Sequence, residues 1–95
     1  MVKHIVMWKL SDREKVAENA AEMKRLLEGL VGVVPGLLRA EVGAGFAGWD
    51  VALYSELESR AALDVYATHP AHMEVKKFVH SVICERASCD YAVDG

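Results

Sequence analysis

Residues Val2 to Leu10 alternate without a break, and both faces of the alternation are apolar. Val2, His4, Val6, Trp8 and Leu10 share one face; Lys3, Ile5, Met7 and Lys9 share the other. A strand with apolar bulk on both sides needs cover on both sides. Helices can supply one cover, and the other must come from something else. His4 stands in the middle of the more apolar face. A buried imidazole costs free energy unless its ring nitrogens find partners, so His4 reads either as a bonded core residue or as part of a pocket wall.

The rest of the chain supplies the helices and the remaining strands. Ser11-Asp12-Arg13-Glu14 has the form of a capping box, with Ser11 as cap and Glu14 three residues on. The helix it opens runs to about Leu30, with Val16, Ala20, Met23, Leu27 and Leu30 on one apolar stripe. Gly32 and then Pro35-Gly36, a pair suited to a type II turn, end it. Leu37 to Val42 reads as a second strand, with Leu38, Ala40 and Val42 facing one way and Leu37, Arg39 and Glu41 the other. Gly43 to Gly48 is glycine-rich, but no lysine follows it and a strand does, so it is a hairpin loop and not a phosphate cradle. Trp49 to Leu57 is the third strand, with Val51, Leu53 and Ser55 opposite Asp50, Ala52 and Tyr54. Ser59 caps a short helix bearing Leu63 and Tyr66, and Ala87 to Val93 alternates again as a closing strand.

Between the last two elements lies Tyr66-Ala67-Thr68-His69-Pro70-Ala71-His72. Pro70 suits the first position of a helix and pushes His69 out of the helical region, so one helix ends near Ala67 and another begins at Pro70. Its stripe is His72, Val75, Val79 and Val82, with Phe78 beside it; Lys76 and Lys77 face outward, and His80 near the outer face has no assigned role. His72 falls in the first helical turn, where the positive end of the dipole disfavours an imidazolium. A neutral imidazole facing inward is what a general base needs, and the Tyr66 phenol one turn back can donate or accept. The bland reading is that Tyr66 packs and the two histidines cap a helix start.

The order β-α-β-β-α-β, with the second helix split at Pro70, is the ferredoxin-like α+β arrangement in one domain of residues 1–95. The helices cover one face of its sheet. Ile5 and Met7 stripe the other, which no helix remains to cover, and a second copy of the same sheet packed face to face is the commonest symmetric answer. A homodimer is therefore expected.

Composition excludes several classes. The hydrophobic fraction of 53% is that of a globular chain, and eleven basic against fourteen acidic residues give a net charge of −3. That is no footprint for nucleic acid or for an anionic membrane surface. No apolar run is long enough to span a bilayer, and no charged-then-apolar leader opens the chain, so the expected location is the cytoplasm. Cys84 and Cys89 on one strand would stand about 16 Å apart, too far for a bridge. A metal site from His4, His69 and His72 lacks a carboxylate at a natural spacing, so no metal is expected.

Met1 to Leu10, the Val34-Pro35-Gly36 turn, Tyr66-x-x-His-Pro-x-His72 and the closing Asp90-Tyr91 resemble the stress-responsive A/B barrel domain family along essentially the whole chain. The resemblance implies a homodimer whose two sheets form an α+β barrel. The same motifs are similar to those of a plant member that closes a linear polyketide by aldol condensation without metal or redox cofactor. By motif position its catalytic tyrosine and histidine fall on Tyr66 and His72, and its cavity-lining strand histidine on His4. The expectation is a cofactor-independent cyclase or isomerase acting on a small enolisable carbonyl or polyketide-like compound. The alternatives are a dimer that binds a small ligand or serves in stress without catalysis and, as found on similar barrels, a cofactor-free monooxygenase.

Overall fold

The computed structural model describes residues 1–94. Strand β1 is Val2–Leu10, helix α1 Val16–Glu28, β2 Leu37–Ala44, β3 Val51–Leu57, α2 Arg60–Thr68, α3 Pro70–Val82 and β4 Ile83–Ala92. The sheet runs β2-β3-β1-β4, with every pairing antiparallel. This is the ferredoxin-like α+β fold expected from the element order. Alternation along β1 is strict: Val2, His4, Val6, Trp8 and Leu10 are buried under the helices, while Lys3, Ile5, Met7 and Lys9 are half-buried. The core joins these to Met23 and Leu27 of α1, Leu53 and Leu57 of β3, and Val75 and Val79 of α3.

Four local readings are corrected. The Ser11 capping box does not form. Ser11 gives its backbone N–H and its hydroxyl to the Val82 carbonyl, at 2.9 and 3.0 Å, and Asp12 caps instead by accepting from the Glu14 N–H. Arg13 bonds the Asp50 carboxylate, and residues Arg13–Lys15 wind as a 3₁₀ turn before α1 begins at Val16. In β2 the register shifts between Leu37 and Arg39, so Leu37 is buried and Leu38 is exposed, the reverse of simple alternation. β3 begins at Val51, because Trp49 and Asp50 still belong to the loop. β4 starts four residues earlier than the alternation suggests, following α3 with no loop. Its first residues pair with Leu10 and Lys9, and its side chains are mostly exposed, so no buried alternation marks its start.

Two sites position the parts that matter for the cavity. Gly36 sits at φ +83° in the Val34–Leu37 turn, closed by a Leu37 N–H to Val34 carbonyl bond of 3.3 Å. That is the third position of a type II turn, where a left-handed residue is required. Lys24 and Glu28 of α1 bond the Val42 carbonyl and N–H, satisfying edge strand β2 and fixing α1 over the sheet.

Candidate functional site

The split of the second helix is what creates the site. Ser59 caps α2 by accepting from the Ala62 N–H, and His69 at the junction caps α3 by accepting from Ala71 N–H through Nδ1. His69 is thereby committed to the turn and does not face the sheet histidine. One turn into α3, His72 Nδ1 lies 2.8 Å from the Tyr66 carbonyl at the end of α2. A carbonyl only accepts, so Nδ1 carries the proton and Nε2 is left with its lone pair. The ring stacks on Tyr66, with centroids 4.0 Å apart and planes 23° apart. Tyr66 in turn meets the edge of His4 on β1, at 5.9 Å and 67°. Tyr66, His72 and His4, nominated separately by their places in the sequence, therefore form one contiguous group on the helix side of the sheet.

These side chains wall an inner cavity of about 50 Å³, floored by Val6, Trp8 and Leu53 and closed by Leu27 and Val79. A basin of about 280 Å³ adjoins it. His4, Tyr66, His72, Lys76 and Arg86 line both compartments. Among the described residues, no protein group hydrogen-bonds the Tyr66 hydroxyl or His72 Nε2, yet no buried side-chain nitrogen or oxygen is left without a partner or an opening. Both groups therefore keep their capacity for something in the cavity.

The electrostatics separate the two groups. Burial drives the His72 pKa down to about 4, assisted by Lys76, His4 and Arg86 nearby and opposed by the bond to the Tyr66 carbonyl. The imidazole is neutral at pH 7, as the sequence position suggested, and burial is the largest cause. Burial pushes the Tyr66 phenol up to about 12, so it remains a donor.

Sequence reasoning missed three members. Asp90 on β4 pairs in register with His4 and accepts from its Nδ1, which turns the His4 Nε2 away from the carboxylate. Lys76 does not face outward: its Nζ reaches back 2.9 Å to the Ala67 carbonyl and lines the cavity. Arg86 lies opposite Trp8 on the same side of β4 as Asp90. A β4 begun at Ile83 would have placed Arg86, Ser88 and Asp90 on one face of the strand, which is the signal that was available. His80, assigned no role from sequence, borders the inner cavity. Among the described residues, no cluster of three or more histidine, cysteine or acidic side chains is placed to hold a metal ion. Cys84 and Cys89 are exposed and unbridged.

Four antiparallel strands backed by three helices, with a polar cavity under the helix break, define a ferredoxin-like α+β domain. The chain belongs to the stress responsive A/B barrel domain family, whose model matches residues 2–93. A dimeric protein of unknown function with a ferredoxin-like fold from Bacteroides fragilis is 33% identical; the match covers 97% of this chain and 95% of that one, with a TM-score of 0.88. A family member from Mesorhizobium loti is 19% identical over 99% of this chain and 97% of its own, with a TM-score of 0.74. An antibiotic biosynthesis monooxygenase shares the fold at 14% identity, with full coverage of both chains and a TM-score of 0.81. No curated protein matches the chain in sequence. Among the described residues, no helix is long and apolar enough to cross a membrane.

Proposed function

We propose that this protein is a cofactor-independent acid–base enzyme acting on a small enolisable carbonyl compound, of the cyclase or isomerase kind. One observation carries the reading: a neutral imidazole and a protonated phenol, stacked together, line the same cavity, and each keeps a polar atom that no described residue bonds. In the reaction the substrate's α-C–H bond breaks and its proton passes to His72 Nε2. The electron pair moves into the carbonyl, and the Tyr66 hydroxyl donates to the enolate oxygen that forms. A ring with a pKa of about 4 is a weak base in the empty site. The enolate developing beside it stabilises the imidazolium when the proton arrives. The enolate then attacks a second carbonyl, whose oxygen takes the proton back from His72, or it recovers that proton from His72 at another carbon.

The active assembly in this proposal is a homodimer. Ile5, Met7, Ala87 and Tyr54 stripe the sheet face opposite the helices and stay half-exposed in one chain, and the Bacteroides fragilis relative is described as dimeric. The direct test is deuterium uptake at the α-carbon of a panel of ketones in D₂O, followed by NMR. Wild type should exchange at least one of them. His72→Ala should slow that exchange by roughly 10²-fold or more, the usual scale of a lost general base. Ligands that bind without exchange in any member of the panel would make this a binding protein.

A further inference from the structure

We infer that the cavity takes an anionic substrate, a small keto acid, with its carboxylate seated in the inner compartment between Lys76 and Arg86. This rests on the acid–base reading for the role of Tyr66 and His72, but on different residues for its own claim. The charges are unevenly distributed. Lys76 and Arg86 line both compartments, whereas Asp64 and Asp90 line only the outer basin. Two cationic side chains therefore border the inner compartment, and no carboxylate does among the described residues. Asp90 is further occupied by His4.

Neither cation is used up by the protein. Lys76 gives one of its three N–H bonds to the Ala67 carbonyl, and Arg86 bonds only Ser88, at 3.3 Å, leaving most of its donors free. The lysine–carbonyl bond holds the ammonium at the end of α2 and beside the histidine, with donors to spare. An inner space of about 50 Å³ admits about three waters, which is room for a carboxylate group while the carbon skeleton extends past Tyr66 and His72. Cations at the histidine also serve the chemistry, because they attract the enolate as well as the acid. The floor of Val6, Trp8 and Leu53 keeps the local dielectric low and strengthens these charge-assisted bonds.

The probes are acetoacetate and pentane-2,4-dione, which match in shape and differ in charge, titrated into the full chain by ¹⁵N–¹H NMR. Acetoacetate should bind about tenfold more tightly than the dione. Arg86→Gln, on an exposed strand position, should reduce that preference to about twofold, with dione affinity nearly unchanged. Lys76→Gln, which keeps a donor for the Ala67 carbonyl, should do the same. Equal affinity for the two probes, or a preference intact in both variants, would overturn the anionic subsite. Deuterium uptake in the same samples separates this claim from the one it builds on. Preferential acetoacetate binding without exchange keeps the anion site and ends the acid–base reading. His72-dependent exchange with no preference for the anion does the reverse.

Discussion

At the residue scale, His72 carries two pH signatures with one sign. Its folded pKa, about 4, lies below the ordinary 6.5. A histidine held neutral in this way contributes stability above pH 6.5, and loses it as pH falls toward 4, because the unfolded chain takes up the proton first. The melting temperature of wild type should therefore drop between pH 6.5 and 4, and His72→Gln should flatten that part of the curve. For catalysis the acid limb of kcat/KM, which reports the free enzyme, should fall near pH 4 and not near 6.5. Tyr66→Phe should cost less than His72→Ala, about tenfold in exchange rate, since it removes one donor and leaves the base. In the proposed site Asp90 positions His4, and its readout is the tautomer of His4. Ring ¹⁵N shifts should show the proton on Nδ1 in wild type and a mixture in Asp90→Asn, with the fold unchanged.

At the element scale, the junctions decide the site. The break at Pro70 aims the end of α2 and the start of α3 at the same point, and α3 feeds β4 directly. The Val34–Leu37 turn holds the neighbouring corner. A Cβ on Gly36 would stand 2.6 Å from the Ala62 Cβ of α2, at a φ of +83° that side chains resist. Gly36→Ala should therefore destabilise by about 2 kcal/mol or more, with the loss concentrated where α2 meets the sheet. Chemical denaturation measures the total, and hydrogen exchange of α2 amides shows its location. Gly43, whose added Cβ would meet nothing, is the matched control and should change little.

At the scale of the whole molecule, the sheet is covered on one side and half-exposed on the other. The open side is not uniformly greasy. Lys3 and Arg39 lie over the Tyr54 ring at 5.4 and 5.8 Å, and Lys9 pairs with Glu85 at 3.2 Å. Such a surface suits a partner face of the same composition. Light scattering at low micromolar concentration should give about twice the 10.4 kDa chain mass. Ile5→Asp should shift the protein toward monomer, since it buries a charge in the sheet-to-sheet contact without touching the helix-side core. A stable wild-type monomer at that concentration would remove the dimer from the proposal.

Much of this was already legible along the chain. The strict alternation of Val2 to Leu10, the α1 stripe and the proline in Tyr66–His72 depend on short-range periodicity and local sterics, and they determined the element order, the helix break and the inward aim of Tyr66, His72 and His4. What needed the tertiary structure were the choices between competing local partners. Ser11 could cap a helix or bond Val82, and the return of α3 made the second available. Leu37 or Leu38 could face inward, and a register shift against β3 selected Leu37. Asp90, Arg86 and Lys76 joined the cavity only because β4 pairs with β1 from Ile83 onward and α3 packs back against α2. The depth of the His72 shift belongs to the same class. Desolvation is its first cause, and that burial comes from residues that meet only when the chain is folded.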